Sequence, residues 1–126
     1  MIRLTFTGDI LIEPEQKEAI CSHSDGFDTI FRNILSSFSL SNYIIGNLET
    51  PLAGEELVYS SHKWSFNTPD CLAESLKKAG FNLLTTANNH CLDRGKIGLL
   101  NTLKTLDRYG LEHIGTYAQK SDKEKI

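Results

Sequence analysis

The chain has 126 residues, of which 40% are hydrophobic and 23% charged, and its mean hydropathy is -0.25. This composition excludes a disordered or low-complexity chain, and no apolar run approaches the ~18 residues that a membrane-spanning helix needs. A formal net charge of -3 argues against a nucleic-acid partner, because such proteins present a basic surface. We therefore expect one folded domain with no membrane segment.

The N-terminal residues predict a cytoplasmic location. Residues 1–6 contain no charged leader followed by an apolar block, so we expect no signal peptide. The three cysteines, Cys21, Cys71 and Cys91, form no C-x-x-C pair and cannot all pair with one another. Reduced thiols in the cytosol are the expectation that fits both observations.

The first third of the chain predicts two strands separated by helical structure. Alternating apolar and polar side chains over residues 2–7 predict a strand that ends at Gly8. Apolar residues at helical spacing over residues 27–38 predict a single helix with one wide apolar face. The apolar run of residues 43–45 then predicts a second, buried strand.

Two further helices are predicted in the second half of the chain. Thr68 and Pro69 are typical of a helix start, a capping hydroxyl followed by proline, and Gly80 is typical of the end of that helix. A later helix ends at Gly110. Its predicted apolar stripe comprises Ile97, Leu100, Leu103, Leu106 and Tyr109.

Strands and helices alternate along the whole chain. A loop is expected over residues 52–63, a third strand over residues 81–87, and a fourth strand at residues 113–114. This alternation predicts an α/β fold with a largely parallel sheet and flanking helices.

Polar side chains follow each of the first three predicted strands. Asp9 follows the first strand, Asn47 and Glu49 follow the second, and Asn88, Asn89 and His90 follow the third. Because ligands bind outside the carboxyl ends of the strands in open parallel sheets, we expect these groups to converge on one edge. Carboxylates, carboxamide oxygens and an imidazole suit Mn, Fe, Zn or Mg ions. The alternative is that each group separately caps a helix or shapes a turn.

His90 and Asp93 stand three residues apart at a turn that leads into a helix. An aspartate that reaches one imidazole nitrogen fixes the tautomer and raises the basicity of the ring, which suits a general acid beside a leaving oxygen. The alternative is that Asp93 caps the helix that begins at Gly95. Both roles are compatible with the sequence.

Three other histidines lack an acidic or cysteine partner at ligand spacing. They are His23, His62 and His113, and we expect them on the surface or in loops. Trp64 and Phe66 are expected to pack in the core, with stacking on a substrate as the alternative.

Several segments resemble, in the expected order, the motifs of the bacterial capsule-biosynthesis CapA family of the poly-gamma-glutamate synthesis type. They are Thr7-Gly8-Asp9-Ile10, Gly46-Asn47-Leu48-Glu49-Thr50-Pro51, Phe66-Asn67-Thr68-Pro69 and Ala87-Asn88-Asn89-His90-Cys91-Leu92-Asp93-Arg94-Gly95. The resemblance covers nearly the whole chain, and its last segment is the best match.

The CapA family is similar to the calcineurin-like metallophosphoesterases, so the resemblance implies the N-terminal half of an α/β/β/α sandwich that holds one or two divalent metal ions. It implies that Asp9, Glu49 and Asn89 are metal ligands, that His90 protonates the leaving group and that Asp93 is its partner. The first strand lacks the Asp-x-His of standard phosphoesterases. The downstream half, which supplies further histidine ligands in the family, is absent, so we expect residues 1–126 to be a domain truncated at its C-terminal half.

The resemblance therefore implies a metal-dependent, phosphoesterase-like hydrolase of capsule or poly-gamma-glutamate biosynthesis. Two alternatives stay open: a non-catalytic accessory or binding module in the assembly of an anionic surface polymer, and an inactive truncated fragment. The expected substrate is an anionic polymer or a phosphoester. An exposed half-domain surface would favour homo-oligomers. Relatives in this family are often anchored outside the membrane, in contrast to the cytoplasmic location that the N-terminal residues indicate.

Overall fold

The computed structural model describes residues 1–54, 57 and 64–124. Its elements are, in chain order, β1 (Leu4–Ile10), α1 (Pro14–Cys21), α2 (Asp28–Phe31), α3 (Leu35–Phe38), β2 (Tyr43–Leu48), α4 (Cys71–Ala79), β3 (Leu83–Thr85), α5 (Gly95–Arg108), β4 (Glu112–Ile114) and a 3-10 helix (Lys120–Glu124). The loop predicted over residues 52–63 lies partly outside the described residues, and His62 lies wholly outside them. None of the helices among these residues is long and apolar enough to cross a membrane.

The described strands form one parallel sheet in the order β1-β2-β3-β4. Helices occupy each crossover between neighbouring strands. Such crossovers are right-handed, and each strand pairs with the next strand along the chain. The crossover helices therefore lie on the same face of the sheet. The predicted α/β fold with a parallel sheet and flanking helices is confirmed.

The core lies between one face of the sheet and the helices. Its central side chains include Ile44, Leu48, Leu84, Leu72, Leu76 and Leu106. Phe81 meets Phe31 and Phe38 edge-on, with ring centroids 5.9 and 5.3 Å apart. On the opposite face of the sheet the β1 side chains are much more accessible, and Phe6 is 69% exposed. The sheet is therefore buried on its helical face and open to solvent along β1 on the other.

The prediction of one helix over residues 27–38 is wrong. The segment forms the two short helices α2 and α3, with a turn between them. Asn33 and several serines occur here, and such side chains compete with helical backbone hydrogen bonds. Phe31 and Phe38 remain buried while Ile34 is exposed, so the wide apolar face is not formed.

The helix predicted after Thr68 is confirmed at its end but not at its start. α4 ends at Gly80, whose left-handed φ of 103° is the conformation that glycine adopts without strain. Its N-cap is Asp70, and the Thr68 hydroxyl instead shares a buried hydrogen bond of 2.8 Å with the Thr50 hydroxyl. Thr68 therefore ties two loops together and does not cap the helix.

The predicted apolar stripe of α5 is partly wrong. Leu103 and Leu106 are buried, but Ile97 is exposed, and Gly98 and Thr102 face the core. The Thr102 hydroxyl accepts the Leu52 backbone N–H at 3.0 Å and donates to the Gly98 carbonyl at 2.9 Å. Small residues and a satisfied hydroxyl thus let α5 approach the chain at Leu52 closely.

We expect Gly46→Ala to destabilise the fold by about 1–3 kcal/mol, because it overpacks the core beneath β2. A Cβ atom at Gly46 would lie 2.8 Å from both Ile10 Cδ1 and Phe81 Cε1, and 2.9 Å from Thr7 Oγ1. Urea unfolding measures the effect. Gly8→Ala is the matched control, since its Cβ would have no neighbour within 4 Å, and equal losses in the two variants would contradict the packing argument.

Candidate functional site

A bulge in β1 sets which side chain of that strand faces the site. Phe6 pairs with Ile45 and Asp9 pairs with Asn47, so β1 advances three residues while β2 advances two. Without the extra residue, Gly8 would lie opposite Asn47 and Asp9 would point toward the helical face. β1 also runs on to Ile10, beyond the end predicted at Gly8. The bulge therefore brings a carboxylate to the open face at the carboxyl end of the sheet.

The Asn47 carboxamide joins the side chains that meet at this edge. Its Nδ2 donates to Asp9 Oδ1 at 2.7 Å and to Glu49 Oε2 at 3.2 Å. Its Oδ1 accepts from the Thr85 hydroxyl at 3.0 Å and from Asn88 Nδ2 at 3.3 Å. Asn47 thus holds two carboxylates on one side and two donors on the other, and its oxygen is already engaged.

The two carboxylates have opposite electrostatic environments. The hydrogen bond from Asn47, followed by one from Glu49, holds the pKa of Asp9 below its ordinary value. Burial, followed by the neighbouring Asp9 carboxylate, raises the pKa of Glu49, and His90 opposes this rise. Asp9 therefore keeps its charge most readily, and Glu49 is the group that a nearby cation would most help to ionise.

The Asn88-Asn89-His90 turn carries the third group of polar side chains to the same edge. Asn88 Nδ2 donates to the Leu48 carbonyl at 2.9 Å, and Asn88 Oδ1 accepts the His90 backbone N–H at 3.0 Å. Asn89 is exposed, and within the described part of the chain its side chain has no hydrogen-bond partner. The turn is therefore fixed to β2 by Asn88, and Asn89 extends from it toward solvent.

His90 and Asp93 form a close pair beside the carboxylates. His90 Nδ1 lies 2.8 Å from Asp93 Oδ2, and the same oxygen accepts the Phe66 backbone N–H at 2.8 Å. His90 Nε2 lies 4.0 Å from Glu49 Oε1, and the His90 side chain is only 15% exposed. Because an ionised carboxylate can only accept, the neutral ring carries its proton on Nδ1. Asp93 does not cap α5, whose N-cap is Arg94.

The three histidines expected on the surface or in loops have different environments. His23 is exposed, as expected, and His62 lies outside the described residues. The expectation for His113 is wrong. This residue lies in β4, and its Nε2 is 3.1 Å from Asp107 Oδ1. The packing of β4 against α5 brings this acidic partner, six residues away in the chain, to His113.

The donor set at the edge fits a hard divalent cation. Asp9 and Glu49 offer carboxylate oxygens that Asn47 holds close together, and the raised pKa of Glu49 shows that one more positive charge there would be favourable. Asn89 offers an uncommitted carboxamide oxygen on the adjoining turn. Among residues 1–54, 57 and 64–124, no three His, Cys, Asp or Glu side chains form a metal-binding group by themselves.

Asn88 lies at this edge as expected, and it bonds to both Asn47 and Leu48. Phe66 is buried, as expected of a core residue, but its contact with His90 was missed: the two rings meet edge-on with centroids 4.8 Å apart. Residue spacing gives no signal for that contact. The same expectation is wrong for Trp64, which is 55% exposed.

A parallel α/β sheet with flanking helices and a carboxylate–histidine edge is consistent with a metallophosphatase-like domain. The chain matches, over residues 3–126, the family described as bacterial capsule synthesis protein PGA_cap, and it belongs to that family. The resemblance to the CapA family drawn from the motifs is confirmed.

The curated relatives that the chain resembles are longer proteins. It is 27% identical to "Capsule biosynthesis protein CapA" of Bacillus anthracis, over 99% of this chain and 31% of the relative. It is 28% identical to "PGA biosynthesis protein CapA" of Bacillus subtilis (strain 168), over 99% of this chain and 33% of the relative. It is 29% identical to "Uncharacterized protein y4sH" of Sinorhizobium fredii, over 73% of this chain and 21% of the relative.

We expect Glu49→Gln to leave the free energy of unfolding unchanged or to raise it at neutral pH. Because the folded-state pKa of Glu49 is raised, its stabilising contribution is present below the ordinary value of 4.5 and is lost as the pH rises through the higher folded value. Urea unfolding in EDTA, at neutral pH and below pH 4.5, measures the difference from the unsubstituted chain.

Asp28→Asn is the matched control with the opposite sign. A hydrogen bond from the Ser75 hydroxyl, and then Lys78, lowers the pKa of Asp28 below 3.8, so its contribution is present above that value and is lost as the pH falls through the lower folded value. Asp28→Asn should destabilise the chain at neutral pH. Equal destabilisation by Glu49→Gln under the same conditions would show that the electrostatic assignment of Glu49 is wrong.

Proposed function

We propose that this protein is a metal-dependent, phosphoesterase-like hydrolase that acts in capsule biosynthesis. This proposal rests on the 4.0 Å distance between His90 Nε2 and Glu49 Oε1, which puts a candidate acid beside the paired carboxylates. The names of the curated relatives, which refer to capsule and PGA biosynthesis, support the biological setting. The proposed substrate is a phosphoester or a similar ester carried by an anionic polymer.

Asp9, Glu49 and Asn89 would hold the metal, with Mn, Fe, Zn or Mg as the candidates. A bound divalent ion supplies activation of a water molecule and neutralisation of oxyanion charge. The chain contributes the means to keep its ligands in place, since Asn47 donates to both carboxylates and Asn88 fixes the turn that carries Asn89. Ligands supported by such neighbouring hydrogen bonds keep their orientation without the ion.

His90 would act as the general acid. Its Nδ1–H is directed to Asp93, which leaves Nε2 as the nitrogen that faces Glu49 and the edge of the sheet. When protonated at Nε2, His90 donates that proton to the leaving oxygen, and Asp93 stabilises the charged ring while it holds the ring in position. The Phe66 ring meets the imidazole edge-on, with centroids 4.8 Å apart, and supports this orientation of the ring.

A second candidate is a non-catalytic binding module in the assembly of an anionic surface polymer. The exposed Asn89, whose side chain has no hydrogen-bond partner within the described residues, favours it, because the ligands of catalytic metal sites are usually fixed by neighbouring hydrogen bonds. Hydrolysis of bis-p-nitrophenyl phosphate by the complete gene product, with Mn²⁺ and with EDTA, separates the two. Metal-dependent turnover supports the hydrolase, and its absence supports the binding module.

We expect Mn²⁺ added to the 126-residue chain to broaden first the NMR signals of Asp9, Glu49 and Asn89, because their oxygens would share the ion. Asp9→Asn should weaken this binding by at least about tenfold. Asp25→Asn is the control, since Asp25 is an exposed carboxylate paired with Arg32 away from the sheet edge. Broadening that is centred elsewhere, or that survives Asp9→Asn unchanged, would remove the proposed ligand set.

In the complete gene product, His90→Ala should lower kcat by about 10²–10⁴-fold while the metal content stays nearly intact, because His90 is proposed as an acid and not as a ligand. Asp93→Asn should act in the same direction but more weakly. His23→Ala, at an exposed histidine, serves as the control. Elemental analysis that finds metal loss in His90→Ala would reassign His90 as a ligand.

A further inference from the structure

The segment at Ser65 and Phe66 lies directly against the turn that carries the proposed acid. The Phe66 backbone N–H donates to Asp93 Oδ2 at 2.8 Å, which is the oxygen that also faces His90 Nδ1. The Ser65 hydroxyl donates to the Asp93 carbonyl at 3.2 Å. The orientation of the Asp93 carboxylate therefore depends on a segment 27 residues away in the chain.

Arg94 also binds the segment at Ser65 and Phe66. Its Nε donates to the Phe66 carbonyl at 2.9 Å, and its Nη2 donates to the Ser65 carbonyl at 3.2 Å. One planar guanidinium thus binds two consecutive peptide carbonyls, a geometry that a lysine ammonium cannot reproduce. These carbonyls are turned toward Arg94 while the Phe66 N–H is turned toward Asp93.

The first turn of α5 is shaped to leave room for the Arg94 side chain. A Cβ atom at Gly98 would lie 2.2 Å from Arg94 Cβ and 3.1 Å from Ala53 Cβ. Any larger residue at position 98 would therefore have to displace the start of the arginine side chain or the neighbouring loop. Glycine at this buried position lets Arg94 lie between α5 and the chain at Phe66.

Phe66 restrains the proposed acid in two ways, one indirect and one direct. Its backbone N–H orients Asp93, and the ring of this buried residue meets the His90 ring edge-on at 4.8 Å and 81°. An edge-on contact of this kind restricts rotation of the imidazole. Displacement of Phe66 would consequently release both restraints on His90 together.

We propose that Arg94 is a positioning residue that fixes the rotamer and the tautomer of His90 by holding Ser65 and Phe66 against Asp93. The catalytic meaning of this inference rests on the proposed function, since it presumes that His90 is the acid. The positioning itself does not, because it concerns the ring of His90 in the metal-free chain. Arg94 acts on His90 through its bonds to the Ser65 and Phe66 carbonyls, and hence through Asp93.

The test is NMR spectroscopy of the metal-free 126-residue chain. In the unsubstituted chain, ¹⁵N–¹H spectra should show His90 as one tautomer with its proton on Nδ1, together with a nuclear Overhauser effect between the His90 and Phe66 rings. Arg94→Ala should lose the ring–ring effect and show a mixture of tautomers. Arg32→Ala, at an exposed arginine paired with Asp25, should match the unsubstituted chain.

Arg94→Lys keeps the charge and the aliphatic stem, so it tests the inference even if Arg94→Ala does not fold. Because lysine can replace only one of the two carbonyl contacts well, we expect an intermediate tautomer mixture and a weakened ring–ring effect. A folded Arg94→Ala, or an Arg94→Lys, with the His90 tautomer and ring–ring effect of the unsubstituted chain would overturn the inference.

Activity of the complete gene product separates this inference from the proposed function. Arg94→Ala should lower kcat by about 10–100-fold with little change in KM, the range typical of residues that orient a functional group. If the unsubstituted protein shows no turnover but the NMR changes occur, the hydrolase proposal fails and the positioning role stands. If turnover occurs but the NMR signals of His90 do not respond to Arg94, the positioning role fails alone.

Discussion

The single extra residue in β1 is the constraint on which the site depends. It turns Asp9, and not Gly8, toward Asn47, and so gives the Asn47 amide two carboxylates to hold. A bulge costs a ladder hydrogen bond, but it exchanges the faces toward which the side chains after it point. The same shift therefore brings Ile10 to the core on the helical face, so one local distortion satisfies both the fold and the site.

Two separately supported groups meet at the edge of the sheet. In the first group, Asn47 donates to the carboxylates of Asp9 and Glu49. The second group is the turn that carries His90: Asn88 fixes this turn to β2, and the Phe66 ring meets the His90 ring edge-on. The two groups approach each other at 4.0 Å between His90 Nε2 and Glu49 Oε1. The pKa of Glu49 is raised, so a positive charge is favourable at this meeting point. Either a proton or a metal ion would supply it.

The predictions from sequence succeeded where local chemistry agreed with the tertiary environment. The end of α4 at Gly80 and the parallel order of the strands followed from capping and alternation, which act over a few residues. The helix predicted over residues 27–38 is interrupted between α2 and α3, and periodicity alone does not count the low helix propensity of Asn33 and the serines of this segment. The stripe of α5 failed because a hydroxyl at Thr102 found a buried backbone partner in Leu52.

The sequence by itself determined that Asp9, Glu49 and His90 follow successive strands of a parallel sheet, and hence that they lie near one edge. That much is topological, since the carboxyl ends of parallel strands all lie on one side. Only the tertiary structure decided that Asn47 donates to both carboxylates and that Arg94 binds the chain at Phe66. It also decided that Asp93 bonds to His90 and does not cap α5. These contacts depend on side-chain direction across a bulge and on packing between residues far apart in sequence, neither of which periodicity or spacing records.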